Sequence, residues 1–342
     1  MNSETLIIAA KMLLVAIIIL SFVLFAVLYI IWGLRRVMGA IQVRIGPNRV
    51  GPQGLLQTVA DALKLIQKED VIPHGADKIL FILAPGIVFV PAYVAYVVIP
   101  FGKGLIAKDL NIGIVYVSAI TSIAIIGIII GGWASNNKWS LLGAFRAAAQ
   151  LVAYEVPMVL AIVVPVLLAG TLRLQGIVDA QSGGFHHWFI FSNFGLPAIA
   201  FIIFLAASLA EINHTPFDIM EAESELVAGF NVEYSGMKFA LFFLEEFAAS
   251  FTICAIAVTL FWGGWHAPIP MLGDQLTGIA GMLVSLFWFL AKTVFWILVL
   301  MWIRSTWPRV RIDQLMNLGW KVMIPVGLFL VLLAGTVVAF RG

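Results

Sequence analysis

"MLLVAIIILSFVLFAVLYIIWGL", residues Met12 to Leu34, runs for 23 positions without a charged side chain. An α-helix rises about 1.5 Å per residue, so ~20 apolar residues cross the ~30 Å hydrocarbon core of a bilayer. The preceding "MNSETLIIAAK" lacks the basic start and short apolar core of a signal peptide, so the run reads as a first span that stays in place.

Seven more runs of similar character follow, at about 79–101, 112–134, 147–172, 194–211, 239–262, 279–303 and 322–340. Over the 342 residues, 62% are hydrophobic and 11% charged; soluble domains carry about 25% charged residues. Strand-period alternation is absent, which argues against a β-barrel and leaves helices to satisfy the backbone in lipid. The expected fold is an all-α membrane protein over 1–342, a single polytopic domain of eight transmembrane helices plus one amphipathic helix at the cytoplasmic side.

Orientation follows from the basic residues. The first, third, fifth and seventh loops hold fourteen Lys and Arg, the opposite side five, and Lys292 falls inside a span. That imbalance places the odd loops in the cytoplasm and both termini outside.

The composition also excludes classes. Cys254 is the lone cysteine, so neither a disulfide framework nor a cysteine-held zinc or iron–sulfur site lies within this chain. No Gly-rich nucleotide loop is present. His186 and His187 lack further clustered ligands and read as loop histidines rather than a metal site. Trp32, Trp133, Trp139 and Trp307, near span ends, read as interfacial anchors.

The loop at 35–78 opens with Arg35 and Arg36 and continues "RIGPNRVGPQG", Arg44 to Gly54, a stiff and cationic segment. In the following "LLQTVADALKLIQKED", Leu55, Leu56, Val59, Leu63 and Ile66 recur at helical spacing, with Gln57, Asp61, Lys64 and Lys68 on other sides. This suits a helix lying at the interface. Its role is open between a surface anchor and a wall of a site. Pro85, Pro91, Pro157 and Pro165 interrupt two spans, where they either leave a cavity or are absorbed by packing.

Four charged residues lie within spans: Glu155, Glu245, Glu246 and Lys292. Each costs about 2.5–3.5 kcal/mol near a helix centre, so such groups face the bundle interior or water and commonly mark ion paths. Structural pairing, for instance of Lys292 with a glutamate, is the plainer alternative. Glu245 and Glu246 point about 100° apart, so one of them is expected to face the interior.

The segment 211–238, "EINHTPFDIMEAESELVAGFNVEYSGMK", carries six acids: Glu211, Asp218, Glu221, Glu223, Glu225 and Glu233. Asp218, Glu221 and Glu225 share a helical face, where like charges repel. Thr215-Pro216 is suited to open that helix, with Asp218 in its first turn. A solvated acidic face is one reading; interleaved Leu226, Val227 and Phe230 favour a partly buried one. The opposed basic and acidic loops suggest a charged chamber at the cytoplasmic surface.

Three stretches, "RIGPNRVGPQG", "AEINHTPFDIMEAESELVAGFNVEYSGMKFALFF" and "IRSTWPRVRIDQLMNLGWK", resemble the quinone-site membrane subunits of proton-pumping NADH:quinone oxidoreductase, respiratory complex I, the bacterial form and its mitochondrial counterpart alike. The resemblance covers nearly the whole chain. It implies a chamber where a ubiquinone or menaquinone head group approaches an iron–sulfur cluster of a partner. Arg35, Arg36, Arg44, Arg49, Asp218, Glu221, Glu223 and Glu225 are then chamber residues, and Glu155, Glu211, Glu246 and Lys292 a proton path.

The resemblance further implies quinone as substrate, with no flavin, iron–sulfur cluster or metal on this chain. Its partners would be peripheral-arm subunits carrying flavin and iron–sulfur clusters, antiporter-like and small membrane-arm subunits, and the lipid bilayer, with no nucleic acid. A bacterial plasma membrane, multi-pass location follows. Leu34 stands where the family usually has an acid, and His214 where an arginine is common. A membrane subunit of a related energy-converting hydrogenase and an independent ion transporter are the alternative readings.

Overall fold

The computed structural model describes residues 3–220, 227–269 and 278–341. It is helical, and no strand occurs among the described residues. We number the helices α1 (Ser3–Ile41), α2 (Gln57–Gln67), α3 (Lys78–Ala95), α4 (Gly113–Thr121), α5 (Ile123–Ala134), α6 (Lys138–Ala169), α7 (Leu174–Asp179) and α8 (Leu196–Glu211). The remainder are α9 (Gly236–Phe261), α10 (Gly278–Thr306), α11 (Ile312–Asn317) and α12 (Ile324–Arg341).

Seven helical segments among the described residues are long and apolar enough to cross a membrane, with α4 and α5 together forming one and α11 through α12 another. The remaining apolar run is the shorter α8, 16 residues from Leu196 to Glu211. Each of the eight runs read from the sequence thus lies largely on helix.

The centre of the bundle is α9. From Phe247 to Phe261 it is buried on nearly every side, packed against α1, α3, α8 and α10. Its all-round apolar character fits that position, because a helix wetted on no face needs no polar stripe. By contrast α1 buries Val23, Val27, Ile31 and Leu34, at spacings of three and four, and leaves Leu6, Met12 and Phe25 exposed. An exposed apolar face suits contact with lipid tails.

Polar side chains set the helix ends. Asp77 accepts from the Ile79 and Leu80 amides and starts α3; Asn137 accepts from Trp139 and starts α6. Gly170, at φ 66°, closes α6 in a left-handed conformation that glycine adopts without strain.

The interfacial helix is shorter than its apolar pattern, running from Gln57 to Gln67 before Lys68 turns extended. Leu56, Val59, Leu63 and Ile66 are its exposed face, while Thr58 is buried against the bundle. An apolar face turned outward is inverted relative to a soluble protein and matches a helix bedded in lipid headgroups. Lys238 ties this corner to α9 through an ion pair with Asp70 at 2.9 Å.

The helix expected to open at Thr215-Pro216 does not start there. Residues 212–220 run as turns and bends. Their backbone is engaged elsewhere: His214 N donates to Leu209 O, Val310 N to Pro216 O, and Gln150 Nε2 to Phe217 O. Leu226 and the acids Glu221, Glu223 and Glu225 lie outside the described residues.

Candidate functional site

The site begins with a discontinuity. The third span breaks at Ser122, between α4 and α5. Ser118, Thr121 and Ser122, at i, i+3 and i+4, line an internal cavity of about 60 Å³, with room for a few waters. Glu155 of α6, Glu211 at the end of α8, Asn213 just beyond it, and Glu245 and Thr252 of α9 complete its polar lining. Ser122 Oγ donates to Glu155 Oε1. Three acids from three helices therefore line one cavity whose wall is otherwise largely apolar.

A second, smaller cavity adjoins it toward the 212–231 segment. Glu211, Asn213 and Glu245 belong to both walls, and Glu246, Asn231 and Met220 are added. Glu211, Asn213 and Glu245 thus stand between the two spaces.

Gln150 holds that junction in register. Its Nε2 donates to Ala210 O at 2.7 Å, Phe217 O at 2.8 Å and Asn213 Oδ1 at 3.1 Å, pinning the end of α8 to α6. Gly143, two turns earlier on α6, packs so closely on the 229–231 turn that an added Cβ would lie 2.8 Å from Gly229 Cα.

Both glutamates of the α9 pair face the interior, where one was expected to. They do so because partners lie on both sides of the 100° turn, the cavities at Glu245 and Arg304 with His214 at Glu246. Glu245 looks into the two cavities. Glu246 accepts from Arg304 Nη1 at 2.9 Å, and the same oxygen lies 3.1 Å from His214 Nε2. Burial, with the nearby Arg304 charge, lowers the proton affinity of His214 against the opposing pull of Glu246.

Lys292 is placed differently from the acids. Its Nζ donates to Trp262 O at 2.8 Å and His266 O at 2.9 Å, and sits 4.4 Å over the Trp188 ring. Trp262 caps the far end of α9, so the ammonium meets the negative end of the helix dipole.

On the loop after α1, Arg35 pairs with Asp61 of α2 and Arg36 donates to Gln53 O at 2.9 Å. Burial raises the Asp61 carboxyl, but bonds from Arg35 and Gln57 outweigh it and hold Asp61 below the usual carboxylate range. Arg44 Nε donates to Gln42 Oε1 at 2.7 Å, and Arg44 and Arg49 are exposed.

The Gly/Pro segment has a steric requirement as well. Gly54 has φ 73°, and a Cβ there would stand 2.3 Å from Pro47 O, so a side chain is incompatible with the fold of the loop on two counts. Asp218 is half-buried. His186 and His187 are exposed, and no group of three metal-ligating side chains occurs among the described residues.

Gln150 and the hydroxyls at 118, 121 and 122 received no role from the sequence, and Glu245, read as an in-span charge, was left out of the proton path. The hydroxyls had a usable signal, three on one helical face of an apolar run. Gln150 had none, because its partners are mostly backbone carbonyls.

The described residues thus form a bundle of apolar helices with several carboxyl groups lining its internal cavities. The family model for NADH dehydrogenase matches residues 14–335, and the chain belongs to that family. It is similar to the H subunit of NADH-quinone oxidoreductase from Chlorobaculum tepidum, 49% identical over 309 residues, covering 89% of this chain and 86% of that one. The corresponding protein of Dehalococcoides mccartyi is 48% identical over 312 residues, covering 91% and 82%. That of Chlorobium luteolum is 47% identical over 321 residues, covering 92% and 86%.

Proposed function

We propose that this chain is a membrane subunit of a proton-pumping NADH:quinone oxidoreductase and couples quinone reduction to proton movement. The observation that supports it most is the pair of adjoining cavities sharing Glu211, Asn213 and Glu245, with Glu155 at the inner end. The fold is read as eight spans, counting α8, with both termini outside and the 35–78 and 211–238 segments facing the cytoplasm of a bacterium.

Arg35, Arg36, Arg44, Arg49, Asp218, Glu221, Glu223 and Glu225 border the quinone head group, with peripheral subunits supplying its electrons. Arg35 and Arg36 fasten the loop to α2, and Arg44 and Arg49 face outward for the partner or the quinone. Reduction adds negative charge at this rim. At 10 Å and an effective dielectric near 20, one charge acts with roughly 1.7 kcal/mol. That raises a nearby carboxyl by about 1.2 pKa units and favours proton uptake.

The proton then redistributes along Glu211, Glu245 and Glu155, the hydroxyls of Ser118, Thr121 and Ser122 and cavity water bridging the gaps. Glu246, held by Arg304 and His214, sets the field beside Glu245. The energy per charge shifts occupancy of poised acids but does not drive several protons across a membrane. Antiporter-like partners are therefore part of the reading.

The test is quinone-reductase activity and proton transport of the purified assembly with Glu211→Gln. Assembly intact with coupled turnover strongly reduced supports the proposal. Copurified hydrogenase subunits without quinone reduction point to the related hydrogenase, and transport by this chain alone to an independent transporter.

A further inference from the structure

The end of the bundle away from the 35–78 loop is closed by aromatic rings. Phe204 of α8 stands in the wall of the cavity that holds Glu155. From it a row of ring contacts runs toward the end of α9. Phe204 meets Phe261 at 5.8 Å between centroids, Phe261 meets Phe201 at 5.3 Å, Phe201 meets Trp262 at 5.8 Å and Trp262 meets Trp188 at 6.2 Å. These are ordinary separations for packed aromatic pairs. The row ends at Lys292, whose ammonium lies 4.4 Å over the Trp188 ring.

The closure is pinned. Buried Gln181 donates to Ile177 O and Thr259 O, and its Oε1 accepts from the Phe189 and Gly263 amides, so one side chain fastens the loop after α7 to the end of α9. Gly263, at φ 70°, lets the Trp188 indole close in; a Cβ there would stand 2.2 Å from its Nε1. Aromatic rings offer a proton neither a titratable group nor a chain of waters, and a charge in such surroundings is costly. A fixed cation beyond them repels any further positive charge.

We propose that Lys292 and this aromatic row form a barrier to proton leak, closing the acid cavity toward the face of the membrane opposite the 35–78 loop. Lys292 guards the bundle rather than carrying protons through it. The Trp262 and His266 carbonyls and the Trp188 ring hold its ammonium in place for that task. The inference rests on the reading of Glu155, Glu211 and Glu245 as proton-bearing groups. Its test runs without turnover, so a failed barrier leaves the coupling account untouched, and an assembly that does not couple can still hold the barrier.

The test uses proteoliposomes of the purified assembly without electron donor or quinone, with a potassium diffusion potential set by valinomycin and an internal pH dye. Lys292→Met should raise the passive proton flux about tenfold to twentyfold over wild type, the weight of one unit charge at ~10 Å and an effective dielectric near 20. Lys292→Arg keeps the charge and should stay near wild type. Gly263→Ala drives a methyl into the Trp188 indole with Lys292 still in the chain. It should leak as well, and it carries the test if Lys292→Met does not assemble. Wild-type flux in both assembled variants overturns the proposal. So does a Lys292→Met assembly that stays tight yet moves fewer protons per quinone reduced during turnover, because Lys292 is then a carrier. Lys292→Arg as leaky as Lys292→Met overturns the part assigned to the charge.

Discussion

Replacing Arg304 with methionine removes the nearest cation from a carboxylate deep in the bundle. Arg304 Nη1 is 2.9 Å from Glu246 Oε1, and both side chains are about one-fifth exposed. With charge centres about 4 Å apart and an effective dielectric near 20, the pair interacts with roughly 4 kcal/mol. Breaking such a pair by deleting one partner costs about 3–5 kcal/mol, since the other charge stays behind.

The loss has a ceiling, because Glu246 can take up a proton instead. Neutralising an ordinary carboxylate costs about 3.7 kcal/mol at pH 7 and about 1.6 kcal/mol at pH 5.5. Local opening of α9 should therefore accelerate by up to about 500-fold at pH 7 and about 15-fold at pH 5.5. His214, 3.1 Å from the same oxygen, trims both figures when protonated.

Cys254 reports that opening. It lies two turns along α9, is a free thiol and is 2% exposed. Its alkylation in the purified assembly, read by mass spectrometry as the ratio of Arg304→Met to wild type at each pH, measures the difference. The double variant Arg304→Met/Glu246→Gln should return close to the wild-type rate, because no buried charge is stranded. A ratio that does not change between the two pH values, or a double variant as labile as the single one, would refute the electrostatic reasoning.

Other outcomes follow from the same contacts. His214 has lowered proton affinity when folded, so its neutral form is favoured; its contribution is full above its unfolded value near 6.5 and is lost as pH falls through it. The fall in thermal stability from pH 7.5 to 5.5 should accordingly be shallower in His214→Asn. Asp61, held below 3.8, contributes above that value and loses its contribution as pH falls through its folded value; because Arg35 is 42% exposed, Asp61→Asn should cost under about 1 kcal/mol at pH 7 in a thermal-shift measurement. Gly143→Ala drives a methyl into the Gly229 and Phe230 backbone and should cost about 1–3 kcal/mol, visible as reduced assembly on native gels.

The sequence was most legible where a single physical constraint dominates. A bilayer admits only long apolar helices, so all eight runs were visible as composition, although α1 and α6 extend well past their apolar stretches because Arg35, Arg36 and Lys138 at the ends are wetted. The buried acids were visible for the same reason, as charges in the wrong solvent. Which direction each faces was not, since that depends on neighbours distant in the chain. Glu245 and Glu246 are adjacent, yet one enters a cavity made with α4, α6 and α8 and the other meets an arginine 58 positions on.

Lys292 invited pairing with a glutamate; the carbonyls of Trp262 and His266, at and just beyond the end of α9, accept hydrogen bonds from its ammonium, and carbonyls leave no mark in a sequence. The turn at 212–220 escaped because its helical pattern competes with hydrogen bonds donated from α6 and from the 304–311 segment, both far away in sequence.

The most direct test of the central claim is the number of protons moved per quinone reduced in proteoliposomes holding the assembly with Glu155→Gln. Glu155 closes the inner end of the cavity against Ser122. Relay through this acid predicts an assembled complex in which pumping collapses and coupled turnover slows. An assembled variant that reduces quinone and moves protons at the wild-type ratio would contradict the account.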